Sequence, residues 1–191
     1  MDKFQNKYRI SSHRKPNWDY SFDGIYFITL AIQDRKCILG EIIDDRMVLS
    51  DYGLIVKTEW EKSFHIRNEL FLDEYVIMPN HIHGIIFLEK PNNIGGNVET
   101  HGRVSLRGRV SLPHRRPKSI SSFVAGFKSR VNTVVNNYID DNLLDIPKYN
   151  KYNRFFQPNY YDHIIQNAQS LKNIRNYIVN NPLNWKKDEL F

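Results

Sequence analysis

The chain has one cysteine, Cys37, in 191 residues. It can form neither an intrachain disulfide nor a zinc site built on several thiolates. A single thiol suits a reducing cytoplasm. No apolar run approaches the ~20 residues of a membrane-spanning helix. The N-terminal stretch MDKFQNKYRISSHRK is polar and lacks the apolar core of a secretion signal. The expected setting is therefore cytoplasmic, with no membrane partner.

Hydrophobic residues make up 41% of the chain, with 11 tyrosines and 11 phenylalanines. That composition builds a packed core, and the length fits a single domain spanning residues 1–191. The net charge of +6 favours a polyanionic partner such as nucleic acid, but only mildly.

Gly24 to Ile32 is rich in β-branched and aromatic residues and reads as a buried strand. Ile38 to Ser50 reads as a hairpin turning at Asp44-Asp45. Ser50 can cap a helix whose apolar positions Tyr52, Val56, Trp60 and Phe64 recur every four residues. Leu70 to Met78 and His81 to Leu88 read as strands separated by Pro79-Asn80, since proline suits a turn or an edge. Ser119 starts a helix with an apolar stripe of Ile120, Phe123, Val124, Phe127, Val131, Val134 and Tyr138. Tyr160 to Ile165 reads as a short strand or helix entry. Ser170 can cap a last helix, Leu171 to Asn181, stopped by Pro182. This order predicts an α+β protein with helices packed on an antiparallel sheet.

Residues 91–117 differ in composition. They hold four of the nine glycines, three of the eight prolines, five arginines and one acid. The segment also carries a short repeat, Gly102-Arg-Val-Ser-Leu and Gly108-Arg-Val-Ser-Leu. It reads as a flexible basic insertion, either a solvated linker or an arm that contacts phosphates.

The chemistry starts at His81-Ile82-His83. Side chains at i and i+2 of a strand share a face, so the two imidazoles project together. Backbone carbonyls or water satisfy such a pair equally well, so the motif by itself is weak. The last helix adds to it. Asn173, Tyr177 and Asn181 are spaced four apart and fall on one helical face beside the apolar stripe of Leu171, Ile174 and Ile178. Most tyrosines in that setting are packing residues with a wet hydroxyl. With the histidines, however, Asn181 offers an oxygen ligand for Mg²⁺ or Mn²⁺, and Tyr177 offers a nucleophile for a phosphodiester.

Met78-Pro79-Asn80-His81-Ile82-His83-Gly84 resembles the His-hydrophobic-His motif of HUH endonucleases. Phe156-Gln157, Tyr160 to Ile165 and Tyr177-Ile178-Val179-Asn180-Asn181-Pro182 resemble the single-tyrosine transposases of that group, most closely the REP-associated tyrosine transposases. The helix from Ser121 to Ser129 resembles theirs too, so the likeness runs from about Tyr20 to Trp185. It implies a ferredoxin-like α+β fold and a bacterial enzyme, associated with the nucleoid when bound, that cleaves and rejoins single-stranded DNA near imperfect hairpins. The reaction would pass through a 5′-phosphotyrosine at Tyr177, with a divalent metal, Mg²⁺ or Mn²⁺, on His81, His83 and Asn181. His163 would be a supporting residue around the metal histidines. Relatives of this kind include monomers and homodimers.

DNA contacts are expected from Arg14, Lys15, Lys128, Arg130, Lys148, Lys151 and Arg154, with Tyr149, Tyr152, Phe155 and Phe156 interleaved for base stacking. Two other readings stay open. One is a non-catalytic nucleic-acid-binding protein that keeps the fold. The other is a replication initiator or relaxase, although 191 residues leave little room for a further domain.

Overall fold

The computed structural model describes residues 18–90 and 118–187, together with the backbone of two short paired strands, β1 (Lys3–Phe4) and β2 (Lys7–Tyr8). Arg14, Lys15 and the expected insertion at 91–117 lie outside the described residues.

The remaining strands are β3 (Gly24–Ala31), β4 (Gly40–Ile43), β5 (Arg46–Leu49), β6 (Leu70–Met78), β7 (His81–Leu88) and β8 (Tyr161–Ile165). The helices are α1 (Asp51–Ile66), α2 (Ile120–Asp141) and α3 (Ala168–Val179). Four strands form one antiparallel sheet in the order β6-β7-β3-β8. With α1 and α2 this is the βαββαβ order of a ferredoxin-like fold, with the β4–β5 hairpin inserted before α1 and α3 appended after β8. The hairpin turns through Asp44 and Asp45, both at positive φ, as a tight two-residue turn requires.

Alternation along the strands divides the residues between two faces. Tyr26, Ile28, Leu30, Ile82, Ile86 and Leu88 bury against Val56 and Trp60 of α1 and Phe123, Phe127 and Val131 of α2, which makes the main core. On the opposite face Ile85, Ile165 and Ile178 form a smaller cluster with Phe27, Val76, Leu171 and Ile174, where α3 lies against β6 and β7. No helix of the described residues is long and apolar enough to cross a membrane.

Two expectations need correction. The α2 stripe drifts by one residue, so Val135 and Ile139 are buried in place of Val134 and Tyr138. A spacing of strict fours and threes loses phase with 3.6 residues per turn over six turns. The last helix begins earlier than expected, with Asn167 as its cap: the side-chain oxygen accepts from Ser170 N at 2.8 Å. Ser170 supplies the capped N–H rather than the cap. The helix also ends earlier, at Val179, so Asn181 lies beyond it and shares no helical face with Tyr177.

Gly84 shows how closely β7 approaches α1. A Cβ built there would sit 2.7 Å from Cζ2 of Trp60. Because Trp60 is fully buried among Phe64, Phe123 and Phe127, it has no room to yield. Gly84→Ala should therefore destabilise by about 1–3 kcal/mol, the usual cost of overpacking. Urea denaturation checks this, and an unchanged midpoint contradicts the close approach.

Candidate active site

The β3–β7 register sets the site. Ala31 pairs with His81 and Thr29 with His83, which places all four on the face that carries α3. Both imidazoles are buried, and their ring centroids are 4.4 Å apart at 66°.

Each imidazole is anchored through Nδ1. Asn80 Nδ2 donates to the Arg35 carbonyl at 3.3 Å, which orients the amide so that Oδ1 faces His81 Nδ1 at 2.7 Å. An amide oxygen only accepts, so in the neutral ring the proton sits on Nδ1 and the lone pair on Nε2. His83 Nδ1 lies 2.7 Å from Thr29 Oγ1, and its Nε2 lies 3.1 Å from the Tyr177 hydroxyl. The Phe27 ring stacks on His83 at 5.2 Å and meets Tyr177 edge-on at 6.2 Å.

Tyr177 is 45% exposed, so a ligand can reach a phenol whose other side rests on His83. Arg175, two residues earlier, makes a bidentate ion pair with Asp73, both contacts at 2.7 Å. Asp73 sits at an irregularity in β6 between Leu72 and Tyr75 that interrupts the ladder. This pair ties α3 to the sheet edge.

Asn181 is buried in the turn after α3. Its N–H reaches back to the Ile178 carbonyl at 3.2 Å, tightening the helix end. Four residues on, the buried Trp185 brings its ring to 6.0 Å from His81. The turn thus forms a wall of the site beside the histidines. Among the described residues no cluster of three or more His, Cys, Asp or Glu could hold a metal. A cation here would depend on two imidazole nitrogens and neutral oxygens. The ring anchoring fits that role: ligating histidines commonly hold the other nitrogen in a hydrogen bond, which fixes tautomer and orientation.

His163 is exposed on β8, paired with Phe27, and its imidazole hydrogen-bonds to no described side chain or carbonyl. Thr29 and Asn80 supply the support expected of it. The cationic candidates separate into two groups. Arg130 is paired with Glu59 at 3.1 Å and Lys148 with Asp140 at 2.7 Å. Lys128, Lys151 and Arg154 instead line one hollow of about 270 Å³. The Lys128 ammonium also braces the loop carbonyls of Gln157 and Asn159 at 2.7 and 2.9 Å. Of the interleaved aromatics, Phe155 and Phe156 are core residues, Tyr149 packs against that core, and Tyr152 stands out at 87% exposed.

No family model matches the chain. A Haemophilus influenzae protein described as uncharacterized is 33% identical over 192 residues, covering 97% of each chain. This chain belongs to the family of that protein. Among solved structures, a REP-associated tyrosine transposase bound to a REP hairpin superposes with a TM-score of 0.54 and 16% identity, covering 90% of this chain and 74% of that one. A Deinococcus radiodurans protein described as a transposase gives 0.41 and 16%, covering 87% of this chain and 97% of that one. The first likeness shows the shared fold.

The tautomer assignment can be tested directly. In nitrogen-correlated NMR the neutral His81 ring should carry its proton on Nδ1, and Asn80→Ala should shift population to the Nε2–H form. A wild-type ring protonated at Nε2 contradicts the assigned hydrogen bond.

Proposed function

We propose that the protein is a metal-dependent transposase or endonuclease of single-stranded DNA that cleaves and rejoins strands through Tyr177. The observation that carries this reading is the Tyr177 phenol on His83 Nε2 at 3.1 Å, with the second anchored imidazole alongside. The fold shared with a REP-associated tyrosine transposase supports it. That protein is bound to a REP hairpin, and a hairpin-bearing single strand is the partner proposed here.

His81 and His83, with the Asn181 amide oxygen, would hold Mg²⁺ or Mn²⁺, and the ion would supply Lewis-acid polarisation of the phosphodiester. The chain's own residues provide the rest. Thr29 and Asn80 keep both rings in the ligating orientation. Phe27 and His83 hold the phenol ring against the sheet, so the tyrosine meets the scissile phosphorus with few rotamers to lose. A bond forms between the Tyr177 oxygen and phosphorus as the P–O3′ bond breaks. The phenolic proton is lost and the departing 3′-oxygen gains one. The 5′-phosphotyrosine conserves a phosphodiester, so an incoming 3′-OH can reverse the step.

The hollow lined by Lys128, Lys151 and Arg154 lies near the same end of the sheet. Gln157, on its wall, donates from its backbone to the Ala31 carbonyl at 2.9 Å, and Ala31 is the strand partner of His81. We assign it to contacts with the DNA backbone.

Incubation with hairpin-bearing single-stranded DNA and Mn²⁺ should yield an adduct stable to boiling in detergent. Chelation or Tyr177→Phe should abolish it. An adduct that survives Tyr177→Phe removes Tyr177 as nucleophile, and tight binding without any adduct favours a non-catalytic DNA-binding protein. Thr29→Val should weaken Mn²⁺ binding by about 10–100-fold, as loss of a ligand's supporting hydrogen bond does; calorimetry reads this, and unchanged affinity argues against His83 as a ligand. Lys151→Ala and Arg154→Ala should each lower the salt dependence of DNA binding by about one unit of slope.

A further inference from the structure

The tip of the β4–β5 hairpin and the turn after α3 enclose a cavity of about 450 Å³. Ile42, Leu183 and Trp185 give it apolar lining, and Asp44, Asp45 and Lys186 add charged groups. Its volume falls within the range of small-ligand sites, about 300–1,000 Å³. Trp185 is shared with the reaction centre: it lines this cavity, and its ring lies 6.0 Å from that of His81. A ligand here would sit next to whatever occupies the histidines.

The lining selects the chemistry. Asp44 and Asp45 outnumber Lys186, so the lining carries a net negative charge that disfavours a phosphate, and the two carboxylates accept hydrogen bonds. An indole and aliphatic walls suit a flat π-system. Neither the Asp44 nor the Asp45 carboxylate has a hydrogen bond or ion pair with a described residue, so their acceptor capacity is not spent on the hairpin. Both hold φ values of 48° and 60°, where Asn-Gly is the less strained choice for such a turn.

We propose that this cavity binds one unstacked nucleobase of the DNA strand beside the cleaved bond and reads it as guanine. Guanine presents N1–H and N2–H₂ side by side, two donors for one carboxylate. Adenine and cytosine present an amino group next to an acceptor nitrogen, and thymine a single N–H between two carbonyls. Asp44 and Asp45 are then specificity-determining residues, and Trp185 is the stacking surface. The inference rests on the proposed function in taking single-stranded DNA as the ligand and His81 and His83 as the place of cleavage.

The test reads binding in the Tyr177→Phe background, so it needs no catalysis. Hairpin-bearing DNA with randomised flanking nucleotides is bound, and the retained fraction is sequenced. Guanine should be enriched at one flanking position, and Asp44→Asn with Asp45→Asn should reduce that enrichment about tenfold, the scale of a lost bidentate base contact. Asparagine tolerates positive φ, so the double variant should melt at the parental temperature or above. No enrichment, enrichment of another base, or enrichment that the double variant keeps overturns the inference. Failure of the Tyr177 reading shows separately, as absence of a wild-type covalent adduct while the base preference persists.

Discussion

The constraint on which the site depends is the antiparallel register of β3 against β7. Because side chains alternate, a slip of one residue would turn His81 and His83 into the main core and Ile82 out toward α3. The register is held from both sides. Ile82, Ile86 and Leu88 bury against the helices α1 and α2, and Gly84 fits under Trp60 with no room for another atom. On the other face the same register sets Thr29 beside His83 and Ala31 beside His81. Packing on one face thus determines the hydrogen bonding and tautomers on the other.

The helix that carries the tyrosine is held less firmly. Only Ile178 of α3 is fully buried, worth about 1.5–3 kcal/mol. The Arg175–Asp73 pair is well aligned but partly exposed, at 43% and 20%, and solvent screening leaves a pair so exposed little net stabilisation. Its value lies in geometry, because a bidentate contact fixes the rotation of α3 two residues before Tyr177. The tyrosine therefore rests on a rigid sheet through a light attachment. That arrangement suits the nucleophile proposed for Tyr177, which would meet phosphorus, carry a DNA end and be released.

Much of this was legible in the sequence because it rests on local signals. Strands β3, β6 and β7 follow from β-branched and aromatic runs broken by Pro79-Asn80, and Ser50 and Ser119 cap the helices expected of them. His81, His83 and Tyr177 could be picked out because polar groups of those types beside apolar stripes are unusual. What was not legible depends on contacts distant in sequence. Thr29 and Asn80 look like ordinary strand and turn residues until the fold places them on the imidazoles. Phe155 and Phe156 resemble stacking residues in a basic loop, yet the loop folds them inward. Asn181 falls in a turn and not on the helix, because the helix ends at Val179, ahead of Pro182.

Tyr177 and His83, the pair proposed to act together, meet within one chain. Mixing the Tyr177→Phe protein with a His83→Ala protein tests this most directly, using adduct formation on hairpin-bearing DNA as the readout. If the tyrosine serves its own histidines, the mixture makes no more adduct than the two variants do separately. Recovery of adduct on mixing would show that the working tyrosine meets another chain's histidines, and would contradict the site described here.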